Sequence, residues 1–256
     1  MKITLGRYAG AALLCISLAA PGITSSQGMF MKPLDSSKYF PDPKVAAFVE
    51  DVQNGNVERV KKAIAAGQDP NAQGSDGFRP IHFIFPAKTS EVAKILLTAG
   101  ADPNVRIASK NTALHYAVQQ PNPDFTAVLL EHRADPNAKG ASDKPVLINA
   151  LASTASDVII RMLAKAGADI NLVWGGKSPL QYAIVAMQWT SAVTLVELNA
   201  DPSVRSMQKE NAAELFCRLL ARTTPTPSNR QNIVRVGDGI KAKIPLSCEA
   251  KLMDFR

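Results

Sequence analysis

Three histidines, His82, His115 and His132, are the only imidazoles this chain offers for proton transfer or metal ligation. None stands in a catalytic spacing: the sequence holds no Gly-x-Ser-x-Gly elbow, no His-Glu-x-x-His pair and no two-cysteine metal knuckle. The string GGKSP at Gly175 to Pro179 looks like the tail of a phosphate-binding loop, where backbone amides and a lysine cradle phosphate. Such a loop needs a glycine at the position held here by Asn171, so the string reads as a turn. The carboxylates of Asp69, Asp102, Asp135, Asp169 and Asp201 recur singly at regular intervals, which marks turns and not an acid/base pair. The expectation is therefore no catalytic residue, no cofactor and no metal; a hydrolase with an unrecognised site is the one enzymatic alternative.

The elements that carry these residues begin with an unusual N-terminus. Lys2 and Arg7 form a short basic head, and Tyr8 to Ala20 follows without a charge, too short to span a bilayer but suited to the core of a secretory signal. Cleavage is expected between Ala19 and Ser26, giving a signal peptide at 1–26 and a linker at 27–43. Cys15 is preceded by Leu14, whereas a lipoprotein signal places small residues immediately before its cysteine, so lipid anchoring is the weaker alternative. Export implies the periplasm and leaves Cys217 and Cys248 in an oxidising compartment, where an even count suggests one disulfide. The competing reading makes Cys217, inside the apolar pattern LFCRLL, a small buried hydrophobe.

At 46% apolar and 20% charged, the 256 residues are neither a disordered chain nor a multi-span membrane protein. Loss of Lys2 and Arg7 lowers the formal charge from +7 to +5. That modest excess suits an acidic protein partner or an anionic membrane surface, and no dense run of lysine and arginine among aromatics marks nucleic-acid binding.

Self-similarity decides the fold. GQDPN at Gly67, GADPN at Gly100, RADPN at Arg133, GADIN at Gly167 and NADPS at Asn199 follow one another at 33, 33, 34 and 32 residues. Ten or eleven residues past each copy lies a second mark: RPIH ending at His82, TALH at His115, PVLI at Ile148, SPLQ at Gln181 and NAAE at Glu214. Together they resemble the ankyrin-repeat family, with its TPLH and GADxN signatures, over roughly Val45 to Ala221.

The physical pattern agrees. A Thr or Ser can cap the first helix of a unit, with Pro tolerated at its first turn. Apolar stripes at Val92, Ile95, Leu96 and Leu97, at Val128, Leu129 and Leu130, and at Val158, Ile159, Ile160 and Leu163 give the second helix. The glycine of GADxN stops that helix and Asp-Pro turns the chain. A helix pair cannot bury its apolar face alone, so neighbouring units must stack. Val45 to Ala66 reads as a cap of two helices, and Asn211 to Ala221 as a first helix with no second helix before TTPTPS. Beyond it, NIVRV and IKAKIPL around Gly237, Asp238 and Gly239 predict a hairpin. The expected fold is all-α, an ankyrin-repeat solenoid at 44–221 with a C-terminal loop and short β-hairpin cap at 222–256.

The resemblance implies that His82 and His115 tie neighbouring loops, and that loop tips and exposed ends of first helices line a concave partner-binding face. The positions so placed are Phe78, Arg106, Asn111, Gln119, Gln120, Lys139, Lys144, Trp174, Lys177, Arg205 and Met207. Trp and Arg are favoured interface anchors, whereas rim lysines mainly set association rates. Trp189 is read as core. The partner is expected to be another protein. Small exported proteins of this family resemble immunity proteins that block secreted antibacterial effectors, often lipases delivered by type VI secretion. A periplasmic scaffold supporting envelope or oxidative-stress defence is the alternative.

Overall fold

The computed structural model describes residues 35–84, 90–222, 224 and 226–255. The expected signal segment and the start of the linker lie outside them. The helices are α1 (Pro43–Asn54), α2 (Val57–Ala65), α3 (Ser90–Thr98), α4 (Ala113–Ala117), α5 (Asp124–Glu131), α6 (Val146–Ala150), α7 (Ser156–Lys165), α8 (Pro179–Val185), α9 (Trp189–Glu197), α10 (Ala212–Leu220), α11 (Pro227–Lys241) and α12 (Glu249–Met253).

Two rows result. First helices touch in the order α4, α6, α8, α10, and second helices in the order α2, α3, α5, α7, α9, α11. One continuous apolar core lies between them, running from Phe40 through Leu96, Leu129, Ile160 and Leu195 to Ile240. Each helix pair thus completes its core on its neighbours, as the lack of a private core requires.

Local chemistry sets the ends. In α8, Ser178 N–H donates to Gln181 Oε1 at 2.9 Å and Gln181 N–H donates to Ser178 Oγ at 3.3 Å, so two otherwise orphaned amides satisfy each other reciprocally. In α7, Ser156, Ile159, Ile160 and Leu163 are buried at i, i+3, i+4 and i+7. Val158 lies off that stripe and is exposed, contrary to its expected place. The second helices stop at left-handed residues, Gly100 at φ 92°, but also Arg133 at 64° and Asn199 at 67°, where the repeat has lost its glycine.

Three expectations need correction. Pro80–Phe83 forms only a 3-10 turn where a first helix was predicted. Residues 35–40, assigned to the linker, pack instead: Phe40 is buried and the Tyr39 ring packs at a tilt against Phe78, with centroids 4.7 Å apart.

The third concerns the C-terminal hairpin. NIVRV, the Gly-Asp-Gly turn and the first two residues of IKAKIPL are one helix, α11, the rest of that second run is irregular, and no strand forms among the described residues. Thr226 N–H donates to Asn229 Oδ1 at 2.9 Å and Pro227 opens the first turn. Ile233, Val236 and Ile240 then form a buried stripe at i, i+3 and i+7. Gly237 and Gly239 are not turn residues. A Cβ on the first would strike Leu252, and one on the second would strike Val196, so both permit close packing. α11 lies beside α9 in the second-helix row and completes the unit begun by α10. Cys217, in α10, is bridged to Cys248, just before α12, with a Cα–Cα distance of 5.3 Å.

Candidate functional site

The two signature histidines are buried between loops. His82 Nδ1 accepts from Arg79 N–H at 3.0 Å, and its Nε2 lies 3.1 Å from the Val105 carbonyl of the next unit. His115 Nδ1 accepts from Thr112 N–H at 3.1 Å, while its Nε2 faces the Lys144 backbone outside hydrogen-bond geometry. Burial pushes both rings down to about 4, so they are neutral at physiological pH. Gln181 does the same work without titrating, donating to the carbonyls of Val204 at 3.2 Å and Glu210 at 2.8 Å. Both ring nitrogens of His82 are thus engaged by backbone, whereas His115 is engaged by backbone at Nδ1 alone.

The loop tips are laced together in order along the stack. Ala108 N–H donates to the Asp76 carbonyl, Ala141 N–H to Asn111 Oδ1, Trp174 Nε1 to the Ser142 carbonyl and Met207 N–H to the Gly176 carbonyl. On this edge Arg106, Lys139, Arg205 and Met207 are exposed, with Met207 at 78%. Lys144 is half-buried and lies over the Trp174 ring at 5.8 Å; Lys177 lies over Tyr182 at 5.9 Å. Gln119, though exposed, donates to the His115 carbonyl at 2.7 Å, and the half-buried Gln120 accepts at its carbonyl from Ser153.

Phe78 does not belong to this edge. It is buried, packed at a tilt against Tyr39 and 5.6 Å from Phe83, because residues 35–40 fold over it. GGKSP forms the tip between unit loops, where Trp174 and Lys177 exchange backbone hydrogen bonds at 3.1 and 3.0 Å and Ser178 starts α8. Trp189 is buried.

Residues 48–140 match the model of ankyrin repeats in three copies. Over that stretch the chain is similar to ankyrin repeats. Among solved structures, EF0377, an ankyrin repeat protein, is 19% identical, with a TM-score of 0.63 over 78% of this chain and 98% of its own. An ankyrin repeat domain from Acinetobacter baumannii AYE, ABAYE2397, is 18% identical, with a TM-score of 0.62 over 77% of this chain and 96% of its own. These likenesses fix the ankyrin fold. No curated protein sequence matches the chain.

Two structural roles within the ankyrin units escaped sequence reasoning. The last residue of each ADPN copy clamps the following unit: Asn104 Nδ2 donates to the Arg133 carbonyl at 3.0 Å, and its Oδ1 accepts from Asp135 N–H at 2.7 Å. Asn71 and Asn137 do the same, and Asn171 accepts from Asp201 N–H. The available signal was Ser203, which replaces Asn in the final copy, where no ADPN turn follows. There Lys243 Nζ, just beyond α11, donates to the Asn199 and Ala200 carbonyls. Trp174 is the second. Ile148 stands where His or Gln would tie loops, and the indole hydrogen bond to Ser142 joins those two units instead.

Proposed function

We propose that this ankyrin stack is a periplasmic immunity protein that grips a secreted antibacterial effector of the lipase class and covers its active-site mouth. The observation that carries the reading is how polar side chains are deployed. Both signature histidines are buried and neutral, each accepting a backbone N–H at Nδ1, and His82 also ties to the next unit, while Arg106, Lys139, Arg205 and Met207 are exposed along successive loop tips with Lys177 half-buried beside them. Exposed side chains on a rigid, laced edge suit recognition of a large surface, and a tight complex requires roughly 1,600 Å² of total buried area. Export to the periplasm rests on the basic head and apolar run at the N-terminus.

The test is to produce the protein together with the product of the adjacent gene. Stoichiometric binding with loss of that product's hydrolase activity is the expected result. A neighbour without hydrolase activity, combined with no hydrolase captured from a periplasmic extract, contradicts the immunity role.

A further inference from the structure

Four of the exposed large apolar side chains, Val173, Val185, Met187 and Met207, belong to the last two repeats. Between α8 and α10 the first-helix face sinks into a hollow of about 320 Å³. Val185 and Leu215 form its apolar walls, and Lys177, Gln208, Glu210 and Arg218 surround it. The volume is at the lower end of small-molecule sites, and the hollow opens onto the face, so it fits one inserted side chain better than an enclosed ligand.

The charges around it are already arranged. Arg218 Nε and Nη2 donate to the two carboxylate oxygens of Glu210 at 2.8 and 2.9 Å, which fixes one wall and consumes both charges. Lys177 is held over the Tyr182 ring and pairs with no carboxylate among the described residues, so the hollow keeps one uncompensated positive charge. Lys209 and Arg205, the latter 4.0 Å from Glu214, extend the positive bias along the adjoining tip.

We infer that this hollow is the anchor point of the protein-binding face, and that it takes an aliphatic side chain from an acidic segment whose carboxylate meets Lys177. The inference rests on the protein-binding reading and adds where the grip is centred and what it grips. Desolvation of Val185 by the inserted side chain provides the affinity, and the carboxylate selects the register.

The test uses a library of random twelve-residue peptides displayed on phage and selected on the purified protein. Enriched sequences are expected to place Asp or Glu within two residues of Leu, Ile, Val or Met. For a synthetic member, Val185→Asp should raise Kd at least tenfold. Lys177→Glu should raise it at least threefold and be rescued when the peptide's acid is changed to Lys. Val185 is exposed, and circular dichroism of each variant checks that the fold is retained. Enriched peptides that ignore both substitutions overturn the hollow as anchor while leaving protein binding intact. Enrichment of no sequence overturns it as well. The effector experiment above then decides separately whether the face binds a protein.

Discussion

Acidification should unfold this protein through two particular side chains. His82 and His115 are pushed down to about 4 in the folded chain, from an ordinary 6.5, by burial. Above pH 6.5 both states are neutral there and the stabilisation is fully present. As pH falls through 6.5 the unfolded chain takes up protons that the folded chain does not, so stability drops until about pH 4. Between pH 7 and 5 each ring accounts for about 2 kcal/mol of loss, or about 4 kcal/mol for both. Glu197 and Glu210, held below the usual 4.5 by hydrogen bonds from Arg161 and Arg218, contribute in the same direction only at lower pH. Gln181 shows that an amide can serve at this position. Urea unfolding at pH 7 and 5, for the natural protein and for the variant with His82→Gln and His115→Gln, separates the two cases. The natural protein should lose most of that 4 kcal/mol, and the variant should lose less than a quarter as much. Equal losses in both, or a flat profile in the natural protein, would refute the burial argument.

Asn104→Ala removes both hydrogen bonds to the following repeat and should lower stability by about 1–2 kcal/mol in urea. Trp174→Phe keeps a ring but loses the indole bond to Ser142, and should cost about 1 kcal/mol in the same assay. Cys217 and Cys248 are 31 residues apart, so reduction should lower stability by about 3–4 kcal/mol on the chain-entropy view, measured as the shift in urea midpoint with and without dithiothreitol.

The repeat was legible because stacking demands the same chemistry every unit: a capped first helix, an apolar stripe and a left-handed stop. What escaped reading was set by contacts distant in sequence. Gly237 and Gly239 carry a turn signal locally, yet Leu252 and Val196 press against them, and the spacing of Ile233, Val236 and Ile240 favours a helix. Phe78 occupies a loop-tip position by register, but Tyr39 covers it from a segment with no repeat pattern. On the binding face, basic and aromatic positions could be named from register alone. Their coupling could not, since Lys144 over Trp174 and Arg218 on Glu210 depend on how successive units superpose.

Hydrogen–deuterium exchange of the protein alone and in complex with its captured partner tests the central claim most directly. Protection is expected in residues 105–111, 139–144, 174–178 and 205–210, with α3, α5 and α7 unchanged. Protection confined to that second-helix row, with the loop tips exchanging as in the free protein, would contradict a grip through the loop-tip edge.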